Sequence, residues 1–332
     1  MMKITSTELA KICGVSRATV DRVFHNRGHV NDETRELVLQ TAERLGYQPN
    51  YIAQCLVTGR TRTIGLVIPS LNNAFFSTLV NAVAREAQNR QHIALVTLYE
   101  DDPQLERECL LSLAERQVDG FLLFSTSKGN DIAGLLHQRN IPAVAMLNRV
   151  EGLPCVRIDY RRAMADAAAY AIGCGYRHLV FLCPPLEQEP SRNIDALRER
   201  LEGFLQITGQ YSDIRRDILD TADYLQRLDA LPLHPDGRTA VLCSSDVFAL
   251  EVQRHWRLRG IRTPKDAGLM GFDGIDPLRY AEPTLATVRI PIAQLGEVAV
   301  QELLDQIENG CMKEALLPYE IQSGQSMMNH GG

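Results

Sequence analysis

The spacing of hydrophobic positions changes character once along the chain, near Ile64. Ahead of that point apolar residues keep helical spacing. Leu9, Ala10 and Cys13 form the inner side of a short first helix that Ser6 or Thr7 can cap, and Gly14 can supply a positive φ at the turn that follows. Ser16 is placed to cap a second helix by accepting from an orphan N–H of its first turn. Val20, Val23 and Phe24 make the apolar side of that helix, while Arg17, Ala18, Asp21 and Arg22 lie away from it. Asn31 or Asp32 caps a third helix with Leu37, Val38, Thr41, Ala42 and Leu45 at helical spacing, and Gly46 stops it. Asn50 can cap one more helix, from Tyr51 to about Val57, which at barely two turns is marginal alone.

From Ile64 onward short apolar runs alternate with amphipathic helices. Strands are predicted at 64–68, 93–98, 120–124, 143–147 and 156–158, with helices near 76–87 and 105–116. A second series follows Asp159, with strands at 179–183, 240–243 and 268–272 among helices at 162–172, 194–208, near Leu225 and at 247–259. The run 285–290 reads as a crossover strand and 292–309 as a helix returning to the first series. Such alternation specifies parallel sheets covered on both faces, here two doubly wound lobes around a cleft, with ligands at the carboxyl ends of strands.

Composition narrows the class. A chain of 332 residues with 45% hydrophobic and 23% charged residues is a globular protein of two or three domains. No run of about 18 apolar residues predicts a membrane span. The N-terminus lacks a basic segment followed by an apolar core, so a cytoplasmic protein is expected. The eight cysteines are scattered and read as buried reduced thiols, and the eight histidines show no ligand spacing, so neither a metal nor a cofactor is expected. The net charge of −6 conceals an asymmetry, because residues 1–60 hold eight Lys and Arg against six Asp and Glu. The positive part carries the helix–turn–helix, whose second helix would enter a DNA major groove with its N-terminal residues, where the planar Arg fork can bond guanine O6 and N7.

The order of marks makes the reading specific. Glu8-Leu9-Ala10, Gly14-Val15-Ser16, Thr19-Val20, Arg22-Val23, Val30, Thr34-Arg35, Leu45-Gly46-Tyr47, Pro49-Asn50 and Ala53 together resemble the DNA-binding headpiece of the LacI/GalR family of bacterial transcription regulators. The resemblance continues through nearly the whole chain. It implies an all-α helix-turn-helix headpiece over 1–49 and a hinge helix and linker over 50–61. A two-lobed α/β core of the periplasmic-binding-protein-like type I follows, one lobe comprising 62–160 plus 291–318 and the other 161–290 plus 319–332. It further implies DNA contacts by Thr5, Ser16, Arg17, Ala18, Thr19, Asp21, Arg22, Asn26, Val30, Asn50, Ala53, Gln54 and Leu56, with Leu56 as a wedge in the minor groove. No leucine heptad ends the chain, so a homodimer on near-palindromic double-stranded operator DNA is expected rather than a four-chain assembly.

For the cleft, the resemblance and the strand-end positions nominate Asn73, Phe75, Phe76, Asn148, Arg149, Arg200, Ser245, Asp246 and Asp273 as effector-binding residues. Asp and Asn can accept from sugar hydroxyls, Arg can hold a hydroxyl, carboxylate or phosphate, and Phe offers an apolar face. Three departures bear on the ligand. Asn-Asp is frequent in the family where this chain has Ser245-Asp246, an aspartate where it has Asn148, and a stacking aromatic near Asp220-Thr221, where Tyr224 is the nearest candidate. The expected effector is a sugar, with a sugar phosphate or acidic sugar favoured over a plain hexose. Two rival readings place a small-molecule binding protein or an enzyme on the same core. The headpiece weighs against the first. The second finds no G-x-S-x-G, Walker loop or metal-ligand cluster.

Overall fold

The computed structural model describes residues 4–25, 28–48, 55, 58–127, 130–186, 192–234 and 236–330. The chain divides into two compact units, Met1–Thr61 and Arg62–Gly332.

The first unit holds three helices, α1 (Ser6–Cys13), α2 (Arg17–His25) and α3 (Asp32–Leu45). The cap of α1 is Thr5, not Ser6 or Thr7. Its side chain accepts from the Glu8 amide while the Glu8 carboxylate takes the Thr5 amide, a reciprocal capping box. Gly14 stands at φ 66° and Gly46 at φ 63°, each ending a helix in the left-handed conformation that glycine adopts without a Cβ clash. Asn31 caps α3. Leu9, Val20, Val23, Val38 and Ala42 meet in a small core of their own. Leu37 and Leu45, expected inside, are exposed instead, because α3 buries only the stripe Val38, Thr41 and Ala42.

The second unit contains two six-stranded sheets. The first is built from β1 (Thr63–Ile68), β2 (Ile93–Leu98), β3 (Gly120–Leu123), β4 (Ala143–Met146), β5 (Cys155–Ile158) and β11 (Ala315–Leu317), in the order β11-β5-β4-β3-β1-β2, all parallel. The second is built from β6 (His178–Cys183), β7 (Arg215–Asp220), β8 (Thr239–Cys243), β9 (Gly268–Asp273), β10 (Ala286–Arg289) and β12 (Glu320–Gln322), ordered β12-β10-β9-β8-β6-β7. Only β12 runs antiparallel to its neighbour among the described residues. Central strands are buried along their whole length, as sheets covered on both faces require. The chain passes between lobes three times: after β5, after β10, and between β11 and β12.

Helices α4 (Ala74–Asn89), α5 (Pro103–Glu115), α6 (Asn130–Gln138) and α11 (Ile292–Asn309) cover the first sheet. Helices α7 (Tyr160–Gly173), α8 (Asp195–Thr208), α9 (Tyr224–Ala230) and α10 (Asp246–Leu258) cover the second. The sequence pattern did not give α6, β7, β11 or β12. The close approach of α7 and α8 rests on one glycine, since a Cβ on Gly203 would stand 2.0 Å from the Arg161 carbonyl oxygen. Gly203→Ala must therefore force the two helices apart, and urea denaturation is expected to show a loss of about 2–4 kcal/mol. Of the cysteines, Cys13, Cys155, Cys183 and Cys243 are buried, whereas Cys311 is exposed rather than buried as expected.

Candidate functional site: a DNA-reading helix and an inter-lobe cleft

The exposed side of α2 carries Arg17, Ala18, Asp21 and Arg22, with Ser16 just ahead of it. Ser16 accepts from the Thr19 amide at 3.0 Å, and the two hydroxyls bond at 2.9 Å, so Ser16 caps α2 and Thr19 is half-buried beside it. The Phe24 and Tyr47 rings, 5.4 Å apart, brace the opposite side of the helix. Thr5, nominated for DNA contact, is exposed but bonded to Glu8, whose carboxyl the Thr5 amide and hydroxyl hold below its usual range. Val30, also nominated, is buried among Leu9, Val20 and Val38. It packs the headpiece rather than facing outward. Asn26, Asn50, Ala53, Gln54 and Leu56 lie outside the described residues.

In the second unit the nominated residues gather where the carboxyl ends of the first sheet meet α8, but they do different work. Asn73 caps α4 by accepting from the Phe75 amide at 2.9 Å. Phe75 is buried in the core, a correction to its nomination, while half-buried Phe76 packs edge-on against Phe124 at 5.1 Å. Asn148 joins the lobes. Its amide donates to the Ser125 and Asn193 carbonyls at 3.1 and 3.2 Å, and its carbonyl accepts from Ala196 N–H at 3.3 Å. Asn193 answers from the other lobe, donating to the Arg149 carbonyl at 2.6 Å and through its amide N–H to the Thr126 carbonyl at 2.6 Å. With both N–H groups and the carbonyl oxygen of its carboxamide engaged, Asn148 is a clasp between the lobes.

Arg200 lies at the centre. Its guanidinium donates to the Ser244 carbonyl, stands 3.7 Å from the Asp273 carboxylate, and covers the Phe272 and Tyr160 rings at 4.0 and 4.8 Å. Burial drives the Asp273 carboxyl well above the usual range, with Arg200 opposing. Asp273 also holds φ 120°, a strained value for a residue with a side chain, where β9 turns into Gly274. Asp246 is wholly buried and consumed internally. One oxygen accepts from the Gly274 and Ile275 amides at 2.7 and 2.9 Å, and the other from the Thr287 hydroxyl at 2.6 Å. Burial raises its pKa to about 6 against the pull of these donors. Asp246 thus fixes the loop that aims Asp273, and its nomination as a ligand contact is corrected to that role. Ser245 heads α10 half-buried and makes no capping bond.

Two residues that sequence reasoning passed over belong to the same place. Arg157, on β5, bonds Glu199 of α8 at 2.5 Å, and exposed Arg149 reaches the other Glu199 oxygen at 3.7 Å. Tyr160, buried at the start of α7, has both the Arg157 and the Arg200 guanidinium near its ring, at 5.6 and 4.8 Å from its centre. A cation within the otherwise apolar strand Cys155-Val156-Arg157-Ile158 was the available signal, since buried charges need partners. No group of acidic, His or Cys residues among the described residues could hold a metal ion. A separate surface depression of about 470 Å³ lies on the second lobe, lined by Arg254, Arg257, Tyr280 and Pro283, and shares no residue with this cluster.

Comparison with known proteins fits both halves of this arrangement. Residues 5–50 match the model of bacterial regulatory proteins of the lacI family, and residues 168–327 match a periplasmic binding protein-like domain. The HTH-type transcriptional repressor CytR of Escherichia coli is 30% identical over 317 residues, covering 92% of this chain and 90% of that protein. The chain belongs to the lacI family. Another lacI-family relative, the ribose operon repressor of Haemophilus influenzae, is 28% identical over 313 residues, covering 92% of each chain. Among solved structures, the lac repressor dimer bound to operator and the anti-inducer ONPF superposes with a TM-score of 0.84 at 23% identity, over 98% of this chain and all of that one. As a lacI-family member the protein is a DNA-binding transcriptional regulator and not an enzyme. No helix among the described residues is long and apolar enough to cross a membrane.

Proposed function

We propose that this protein is a cytoplasmic repressor that binds a near-palindromic operator as a homodimer and answers to a sugar or sugar derivative held between its lobes. The observation that carries the reading is the pairing, on one lacI-family chain, of an exposed Arg-bearing α2 with a cluster of polar residues around Arg200 where the two lobes meet. Arg17 and Arg22 of α2 direct their guanidiniums to base edges, Ser16 and Thr19 fix position at the phosphates, and Asp21 accepts from a cytosine amino group. Residues 62–160 with 291–318 form the lobe nearer the headpiece in sequence, and 161–290 with 319–332 the other. Effector contact falls to Phe76, Arg149, Arg200, Ser245 and Asp273.

The dimer face is the edge of the first sheet together with the outer side of α10. Strand β2 exposes Ile93, Leu95, Val96 and Leu98, α10 ends on exposed Leu258, and exposed Tyr280 lines the surface depression of the second lobe. Apolar side chains clustered on an edge strand call for a partner.

Selection of bound DNA from a random pool by the full-length protein, with and without a metabolite mixture, tests the reading. A near-palindrome enriched without the mixture and released by it is the expected result. No enrichment in either condition overturns it.

A further inference from the structure

Three buried polar atoms at the first lobe crossing make no hydrogen bond among the described residues: Arg157 Nη1, Arg200 Nε and the Tyr160 hydroxyl. They belong to one cluster, because the Arg157 and Arg200 guanidinium carbons stand 5.6 and 4.8 Å from the centre of the same Tyr160 ring. Buried donors are nearly always paired, and an arginine cannot shed its charge to escape the cost. All three atoms can donate, and neither guanidinium can accept.

The two buried guanidiniums are only partly served by the groups around them. Arg149 and Arg157 share a single carboxylate, Glu199. Arg200 is served by a neutral carbonyl, that of Ser244, and by Asp273 only at 3.7 Å. A neutral sugar hydroxyl fits such a set poorly, since its oxygen accepts few bonds and its own proton then needs an acceptor. An oxyanion can accept from all three donors.

We propose that Arg157, Tyr160 and Arg200 form a subsite for an oxyanion, the carboxylate or phosphate of the effector. This rests on the reading of the inter-lobe cleft as an effector site. It extends that reading by assigning Arg157 and Tyr160 to binding and by fixing the charge of the ligand. Arg157 supplies Nη1, Arg200 supplies Nε, and the Tyr160 hydroxyl donates between them. The oxyanion then ties β5 of one lobe to α7 and α8 of the other.

The test uses the full-length protein, with inorganic phosphate as the probe. Thermal melting is followed across a phosphate titration against sodium chloride at matched ionic strength. The expected result is a saturable rise in Tm with phosphate, an apparent Kd about tenfold weaker in Tyr160→Phe, and no phosphate response in Arg157→Met. Arg157→Lys, which keeps charge but loses the fork, serves as a second variant should the methionine protein fail to fold, and it is expected to respond weakly. Phosphate acting no better than chloride, or equally on wild type and Tyr160→Phe, overturns the proposal. Glucose, glucose 6-phosphate and glucuronate, compared in the same assay, separate phosphate from carboxylate as the source, and equal stabilisation by all three also overturns it. DNA selection on the same preparations keeps the two readings apart. Operator enrichment with no phosphate response removes the subsite alone, and a phosphate response with no enrichment removes the regulator alone.

Discussion

Replacing both Arg17 and Arg22 with alanine is expected to weaken binding to the selected operator by about a hundredfold or more, since each arginine fork on a guanine contributes about 1–3 kcal/mol of discrimination. Both side chains are exposed on α2, and neither belongs to the headpiece core, so the helical melting profile should not change. Fluorescence anisotropy at fixed salt with the operator and with scrambled DNA reads the effect. Loss confined to the operator assigns the arginines to base reading. An equal loss on both DNAs assigns them to phosphates, because backbone contacts carry no sequence information.

The second large effect lies at Asp246. Asp246→Ala strands the Gly274 and Ile275 amides and the Thr287 hydroxyl in a buried place, and should cost about 2–4 kcal/mol in urea denaturation at neutral pH. Asp246→Asn keeps an acceptor for the amides and should cost less. The two variants also separate in pH dependence. Because burial raises this carboxyl to about 6 in the folded protein, above its unfolded value, the folded state holds the proton more tightly. That contribution is fully present below the unfolded carboxyl range and is lost as pH rises through about 6. Wild-type stability should therefore carry a component that falls between about pH 4 and 6. The asparagine variant should lack it, whereas a profile identical in both proteins would place the titration elsewhere.

How far these sites could be read from the chain depended on what each residue does locally. The strands buried on both faces announce themselves as apolar runs, and the caps of α2 and α3 follow from Ser16 and Asn31. Strand β7, at a sheet edge, has the sequence Arg215-Arg216-Asp217-Ile218-Leu219-Asp220, with a single buried side chain, so it carries no apolar run or alternation to mark it as a strand. Strands β11 and β12 have three residues each, too short for any period to show. At the cleft, residue type and strand-end position located Arg200, Asp246 and Asp273 but could not divide their labour. That Asp246 binds its own backbone, and that Asn148 clasps Asn193, are facts of long-range geometry joining segments 28 and 45 residues apart. Thr5 was missed as a cap because Ser6 and Thr7 beside it offer the same chemistry, and only the reciprocal bond with Glu8 distinguishes them.

The shortness of the third crossing has a mechanical consequence. Leu317 ends β11 and Glu320 begins β12, leaving only Pro318 and Tyr319 between edge strands of the two sheets, and the Tyr319 hydroxyl is moored to Asp166 of α7 at 2.6 Å. A tether of that length spans at most about 11 Å, so the sheets cannot part at this edge. It is a fulcrum. Strand β2 lies at the opposite end of the six-stranded first sheet, five strand spacings or about 24 Å away. A tilt of about 10° about the fulcrum would sweep β2 through about 4 Å. The greatest travel thus falls on the strand whose exposed Ile93, Leu95, Val96 and Leu98 offer a surface to a second chain, and the sheet converts a slight closure near its pivot into a stroke at its rim.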